Sequence, residues 1–443
     1  MTAHNAPTVS EPPSGPTAGP LRAMLLLIGA CMSTVSAVVV APVLPELERQ
    51  FGGEGNAAAL VPLVVGVPAA AMAVSSPIVG ALLDRFGRRH FVSVGLVLFT
   101  VAGTAPLVLD SLPAIIGSRL LVGVATAIVT NTCTVLIGDY FTGRNRARFL
   151  ALQTVANSTA AVLGLAVGGV LGNIGWRAPF AVFAIGLVLL PAMALVPPPP
   201  RQEVVRVERA LPAAFPPPLP SLVPIALVTA VAAVVVSLPV FETATLMEQS
   251  GVTSTGLIGV ISALNSFATV VGAIVVREVV DAPPGRLLAV GFSLAALGYG
   301  IVASSKTLDG VVVGVVVILG LMVANFGAGF LLPTLLTWGT RHLRYGSRGR
   351  GTGLWHAGFF AGQFATPLLF DAINGRSGGP FATLGMGAAF CLAMAIGTGI
   401  AAPRHRDRWR MNPPPPPRYG VAGPASPAPS WDRPMAEPDD GRR

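Results

Sequence analysis

Arg119 stands inside an apolar run about eight residues past Ser111, a candidate helix start, which places it roughly 12 Å along a helix at 1.5 Å per residue. A central arginine costs about 2.5–3.5 kcal/mol on insertion scales, so it must face the interior of a helical bundle and pair there. Such a group exchanges a coupling proton or holds an anion; the structural alternatives are a buried hydrogen-bond network or snorkelling to the surface. Glu242 follows Ser221 by 21 residues, roughly 31 Å along its own helix, with Pro239 kinking the helix just before it. A desolvated carboxyl there can bind and release a proton, whereas a solvated one at the outer end does no chemistry. Asn131, Asn157, Asn265, Asn325, His356 and Gln363 also fall within apolar runs, where each needs a partner or a cavity, and they are the candidates for lining a substrate cavity. Gln363, about 13 residues past Arg350 and so roughly 20 Å deep, is the preferred contact. His356 lies nearer the inner end and reads as a hydrogen-bond donor or a proton relay.

These groups need helices long enough to cross a bilayer. The chain has 443 residues, 52% hydrophobic and only 11% charged, which excludes a soluble globule. Taking about 18 apolar residues as the threshold for a spanning helix, twelve segments qualify: 23–45, 57–82, 91–109, 113–138, 149–173, 178–197, 222–247, 255–276, 287–305, 310–338, 352–372 and 380–402. Strands are not expected, because period-two alternation is absent. The net charge of +9 raises nucleic acid as a partner, but basic residues are not interleaved with aromatics, and eight of them lie in the tail after Pro403. Cys31, Cys133 and Cys391 share no ligand spacing and read as small core residues.

With the N-terminus inside, the inner loops together with Arg22 collect 16 arginines, among them Arg85, Arg88, Arg89, Arg144, Arg146, Arg148, Arg348 and Arg350, while the outer loops hold only Arg49, Arg177, Lys306 and Arg376. That imbalance puts both termini in the cytoplasm. The expected organisation is a disordered tail over 1–22, a six-helix bundle over 23–197, a proline-rich linker over 198–221, a second bundle over 222–402 and a disordered tail over 403–443. The loop at Asp84 corresponds to that at Asp281, and Arg146-Ala147-Arg148 to Arg348-Gly349-Arg350, at offsets of roughly 200 residues. Two parallel repeats follow, with a substrate site between them near the midplane. The run Gly164, Gly168, Gly169 and Gly172 has the spacing of close helix packing.

The stretch Gly80-Ala-Leu-Leu-Asp84-Arg85-Phe-Gly87-Arg88-Arg89 reads as a tight inner turn and resembles the loop between helices two and three of the major facilitator superfamily, G-x-L-x-D-R-x-G-R-R/K. Arg119-Leu-Leu-Val-Gly123 resembles that family's R-x-x-x-G signature, and GDYFTGRNRAR is similar to its helix-four exit. Gly175-Trp176-Arg177-Ala-Pro179-Phe180 and residues 348–369 are similar to bacterial efflux members. The resemblance implies an all-α membrane protein with the major facilitator fold, twelve helices in two pseudo-symmetric six-helix bundles. It implies a gating role for Gly80, Asp84, Arg85, Gly87, Arg88 and Arg89, in which Asp84 stabilises the positive end of a helix and bridges cationic groups; a turn that only fixes topology is the alternative. Three positions differ from drug/proton antiporters: Leu165 replaces the proline of the helix-five pattern, Val38 stands where many members carry an acid, and the second loop copy keeps only Arg277, Asp281, Gly285 and Arg286.

No phosphate-binding GxxxxGK[ST], HExxH or nucleophile elbow is present, so the chain does not read as an enzyme, and no metal or cofactor is expected. The expected activity is secondary transport by alternating access: proton-coupled efflux of a small apolar or amphipathic molecule from a bacterial cytoplasm through the inner membrane. The alternatives are proton-coupled uptake or facilitated diffusion of a polar metabolite, and a non-transporting scaffold or sensor. The expected partners are a small-molecule substrate, protons and the lipid bilayer, with the chain acting as a monomer.

Overall fold

The computed structural model describes residues 19–52, 60–86, 88–141, 143–194, 222–250, 255–279, 282–308, 311–340, 343, 346–377 and 379–404. The linker over 198–221, including Ser221, the tails over 1–18 and 405–443, Gly87 and Asp281 therefore lie outside the described residues. Twelve principal helices appear among the described residues. The first half holds α1 (Pro20–Val43), α2 (Leu63–Phe86), α3 (Arg89–Thr104), α4 (Leu112–Tyr140), α5 (Gly143–Gly172) and α6 (Ala178–Met193). The second holds α7 (Val223–Gln249), α8 (Thr255–Glu278), α9 (Pro284–Ser304), α10 (Val311–Thr340), α11 (Arg348–Ser377) and α12 (Pro380–Arg404). Among the described residues nine helical stretches, and not the expected twelve, are long and apolar enough to cross a membrane; the apolar parts of α6 and α7 are shorter, and α11 is not one of the nine.

The helices turn apolar side chains both inward and outward. Val74, Ile78, Leu163, Val170, Leu227, Leu297 and Ile396 are exposed, as expected of faces whose solvent is hydrocarbon. Inside, two apolar cores lie largely one in each half, and the first also takes in Leu336 of α10 and Trp355 of α11. Leu26, Leu96, Phe99, Val122, Val129, Phe180 and Phe183 belong to the first, and Leu288, Phe292, Tyr299, Val317, Leu321 and Leu335 to the second. A smaller cluster of Met72, Val79, Leu83, Ala127, Ile128 and Phe360 joins α2 and α4 to α11. The halves meet where α2 packs on α11 and α5 on α8, with α4 also touching α11 and α5 touching α10. These are the same pairings seen from each repeat.

Several boundaries differ from the sequence expectation. Gly80 to His90 is not one turn: α2 runs on to Phe86, so Gly80, Asp84 and Arg85 are helical, and α3 starts at Arg89. Arg146, Arg148, Arg348 and Arg350 are likewise within the first two turns of α5 and the first turn of α11 rather than in loops. Charged residues end an apolar count early, but long arginine stems let a helix continue past the apolar boundary while the guanidinium finds a polar partner. The glycine run performs as its spacing predicts: a Cβ on Gly164, Gly168 or Gly172 would strike Val38, Val39 or Val43 of α1, whereas Gly169 faces open space.

Pro239 shows how the fold repairs a broken helix. It lacks an N–H, so the Val235 carbonyl one turn earlier loses its helical donor. The hydroxyl of Tyr299, fully buried on α9, donates to that carbonyl. Tyr299→Phe is therefore expected to lower stability by about 1–3 kcal/mol, the cost of an orphaned buried acceptor, measured by thermal unfolding in detergent. Pro239→Ala restores the missing N–H, and in that background the Tyr299→Phe cost should shrink; an equal cost in both backgrounds would show that the carbonyl is not the reason.

Candidate functional site

The charged groups gather at the arginine-rich end, where the two halves touch. Asp139, in the last turn of α4, is buried and receives two cations. Nη1 of Arg348, from the first turn of α11, donates to Asp139 Oδ1 at 2.6 Å, and Arg88 Nε, immediately before α3, lies 2.6 Å from Oδ2 in an ion pair. The side chains of Arg88, Arg348 and Asp139 are 2%, 6% and 0% exposed, so water screens little of this attraction. Arg348 Nε also donates to the Leu343 carbonyl at 3.2 Å. One carboxylate thus ties α4 and the start of α3 to the opposite half.

Asp84 makes the second link. The sequence expectation placed it at a helix start; it stands instead in the last turn of α2, and the helix start it serves belongs to α11. Its Oδ1 accepts the Gly349 N–H at 2.9 Å, and its Oδ2 accepts the Arg350 N–H at 3.0 Å and Arg350 Nε at 3.4 Å. Two of the unpaired N–H groups of α11 are satisfied by a carboxylate at the helix's positive end, a favourable arrangement for both. The approach is possible because Gly80, Gly349 and Gly353 carry no side chain. A Cβ on Gly80 would overlap the Gly349 carbonyl, and one on Gly353 would overlap the Ser76 carbonyl. Arg85 is exposed with its guanidinium 5.1 Å from the Phe86 ring, and Arg89 opens α3. On the other seam, Arg146 Nη2 at the start of α5 donates to the Thr340 carbonyl at the end of α10, at 2.8 Å.

A polar cluster lies deeper in the same seam. Asn131 Nδ2 donates to Ser76 Oγ at 3.2 Å and to the Ala127 carbonyl at 2.8 Å, while Asn131 Oδ1 lies 3.0 Å from His356 Nδ1. His356 Nδ1 is also 3.1 Å from the Thr352 carbonyl, so a proton on Nδ1 serves two acceptors at once. Asn131 and His356 are 0% and 3% exposed and join the halves through α2, α4 and α11. Within the second half, Asn325 Oδ1 accepts from Thr269 Oγ1 at 3.2 Å, which links α10 to α8. Asn157 Oδ1 on α5 and both amide atoms of Asn265 on α8 are buried without a hydrogen-bond partner. Gln363 is half-buried on α11.

Arg119 is fully buried in the first half. Nη2 donates to the Ala102 and Gly103 carbonyls of α3 at 3.1 and 2.9 Å, and Nε approaches Ser118 Oγ at 3.4 Å. The guanidinium stacks 4.9 and 4.8 Å from the Phe180 and Phe183 ring centres, and Nη1 has no hydrogen-bond partner. Carbonyls near a helix C-terminus and aromatic faces both attract a cation, so α3, α4 and α6 hold this one with no acid in contact among the described residues. Glu242, buried on α7 of the other half, is not among these partners. Asp371 falls in α11, and its side chain lies outside the described residues, as does that of Arg89.

The helix bundle of this chain superposes on known transporters. The proton:xylose symporter XylE bound to 6-bromo-6-deoxy-D-glucose aligns with a TM-score of 0.72 at 14% identity, over 85% of this chain and 94% of that one. The human organic anion transporter MFSD10 aligns with a TM-score of 0.70 at 18% identity, over 86% and 100%. At these identities the likeness concerns the fold alone. In sequence, the chain is 29% identical over 186 residues to multidrug resistance protein 1 of Bacillus subtilis (strain 168), covering 41% of this chain and 47% of that protein. It is 30% identical over 174 residues to the class C tetracycline resistance protein of Escherichia coli, covering 38% and 43%. The chain thus spans less than half the length of these curated relatives in the matched segments. Residues 26–367 match the Major Facilitator Superfamily, across both halves and the contacts between them described above, and the chain belongs to that superfamily.

Proposed function

We propose that the protein is a secondary transporter that exports a small apolar or amphipathic molecule through a bacterial inner membrane in exchange for protons, with both termini cytoplasmic. The observation that carries this reading is the construction of the seam. The two apolar cores lie largely in opposite halves, while the arginine-rich ends are joined by hydrogen bonds and ion pairs that water can replace when they part. Such a joint suits two rigid bundles that rock about a central site. The multidrug and tetracycline resistance proteins among the relatives support efflux as the direction. In this reading Arg119 and Glu242 serve proton coupling or an anion, and Asn131, Asn157, Asn265, Asn325, His356 and Gln363 face the substrate path. Gly80, Asp84 and Arg88 act on the gate, together with Asp139.

A second reading, uptake or facilitated diffusion of a polar metabolite, draws on the unpartnered amides of Asn157 and Asn265, which a hydroxyl-rich ligand would satisfy. A pH-gradient assay in inverted membrane vesicles separates the two. Discharge of the gradient by an added dye, antibiotic or sugar supports proton-coupled efflux, and no discharge by any of them, with the protein shown to be inserted, shifts weight to uptake or facilitated diffusion. Arg119→Ala is expected to lower the initial discharge rate roughly 10-fold or more, equivalent to about 1.4 kcal/mol of barrier, with Arg119→Lys retaining more of it. Full activity in Arg119→Ala would remove this residue from the coupling path.

A further inference from the structure

We propose that His356 is a proton-binding site read by the joint between the halves: the closed inner end accepts the ring only in its neutral form, and a proton taken up on Nε2 from the cytoplasm holds that end open. The proposal needs only that the halves part at the arginine-rich end, and it does not depend on what is carried or in which direction.

Hydrogen bonds fix the form of the ring. Thr352 offers Nδ1 a backbone carbonyl at 3.1 Å, which can only accept, so Nδ1 carries the proton. Asn131 is oriented to match: its Nδ2 donates to the Ala127 carbonyl at 2.8 Å and to Ser76 Oγ at 3.2 Å, which leaves Oδ1 to accept from Nδ1 at 3.0 Å. With its one proton on Nδ1, the neutral ring keeps a lone pair on Nε2, where a second proton binds. Aromatic rings cover the imidazole: Phe360 lies nearly parallel with its centroid 5.9 Å away, and Trp355 meets it edge to face at 5.0 Å. His356, Asn131 and Ser76 are all buried, and they come from α11, α4 and α2, so this enclosure exists only while the halves touch.

No described residue in the enclosure neutralises an imidazolium. The groups of α2 and α4 beside the ring are Ser76 and Asn131, both uncharged. Asp84 and Asp139 stand about eight residues nearer the inner end, roughly 12 Å along their helices, and are engaged there by Arg350 and by Arg88 and Arg348. Arg85 is at the same inner level, and Arg119 is in the outer half of α4. On α11 itself Arg348 and Arg350 are at the inner end, and Asp371 and Arg376 toward the outer one. Of the other helices packed on α11, α10 has no charged residue, α7 has Glu242 and Glu248 in its outer third, and α12 has Arg404 at its inner end. Closure with the second proton in place would bury an unpaired cation, for which aromatic faces recover only part of the lost hydration. Parting the halves gives the ring water, where histidine titrates at about pH 6.5. The open end therefore binds the proton and the closed end excludes it, so acid favours the open arrangement and alkali the closed one.

Spin labels at Phe86 and Gly346, both exposed and on opposite sides of the joint, read this without any substrate. In lipid nanodiscs and a background with Cys31, Cys133 and Cys391 replaced, lowering the pH from about 7.5 to about 5.5 is expected to raise the open-to-closed ratio about 10-fold, the factor for one group that titrates at about 6.5 when open and stays neutral when closed. His356→Gln cannot take up the proton and should flatten the rise. Asn131→Asp sets a carboxylate against Nδ1, gives the imidazolium a partner in the closed arrangement, and should keep the joint closed over the same pH range. An unchanged ratio with His356 and Asn131 intact would overturn the proposal, as would a rise that survives in full in His356→Gln. Should His356→Gln fail to insert, a full rise persisting in Asn131→Asp would overturn it equally. Absence of export for every compound tried, with this pH response intact, would count against the proposed function and leave the proton site standing.

Discussion

Asp139→Asn is expected to hold the arginine-rich end open. The substitution keeps the side-chain volume and removes the charge, leaving Arg88 and Arg348 buried beside each other at 2% and 6% exposure. Stripping one partner from a buried ion pair costs about 3–5 kcal/mol, mainly because the remaining charge stays desolvated. Here two cations share one anion, so the amide cannot satisfy both, and their mutual repulsion adds to the cost. The penalty applies to the closed arrangement; once the halves part, both guanidinium groups reach water. The ratio of open to closed states should therefore rise on the order of 100-fold or more. Spin labels at Phe86 and Gly346 would read a shift to long distances, and transport would fall with it. Asp139→Glu retains the charge and should recover part of the closed population. An unchanged distance distribution in Asp139→Asn would mean that the triad does not hold the halves together.

The absence of Asp139 from the candidate residues drawn from the sequence has a physical cause. An acid at the end of an apolar run reads as an interfacial, solvated group, and here it stands ahead of the arginines of the α5 start. Its cross-half partner, Arg348, is 209 positions away, beyond any helical spacing. The available signal was the internal repeat: Asp139 and Thr340 occupy matching positions, and only one of them is charged. Asp84 was recognisable as a residue that serves a helix start, but the identity of that helix depends on how the halves pack. Arg119 shows the same division. Its depth and burial followed from counting along α4, while its partners, two backbone carbonyls and two phenylalanine rings, follow from how α3 and α6 enclose it. Nine of the twelve expected spans were legible by length and composition, because hydrocarbon imposes a length on every span. The helix ends were not, since arginines at α5 and α11 are polar by composition and helical by packing.

Gly80→Val should abolish closure of the same end through sterics alone. The Cβ would overlap the carbonyl oxygen and carbon of Gly349 and approach the Arg350 Cα at 3.2 Å, so it meets backbone on the facing helix and no flexible side chain that can yield. The helices must separate, and Asp84 then loses its bonds to the Gly349 and Arg350 N–H groups, now 2.9 and 3.0 Å long. Overpacking costs about 1–3 kcal/mol or more where the surroundings are rigid, and the lost capping bonds add to it. This cost falls on the seam and spares the two apolar cores, because Gly80 belongs to neither. The variant is therefore expected to insert and to unfold at nearly the wild-type temperature, while the Phe86/Gly346 label distance lengthens and transport is lost. Gly169→Val is the matched control, since Gly169 lies in a helix with nothing near its Cβ position, and it should leave both readouts unchanged. A closed Phe86/Gly346 distance in Gly80→Val would show that α2 and α11 can close without backbone contact, and the glycines of the motif would then have to be explained by something other than the approach of these helices.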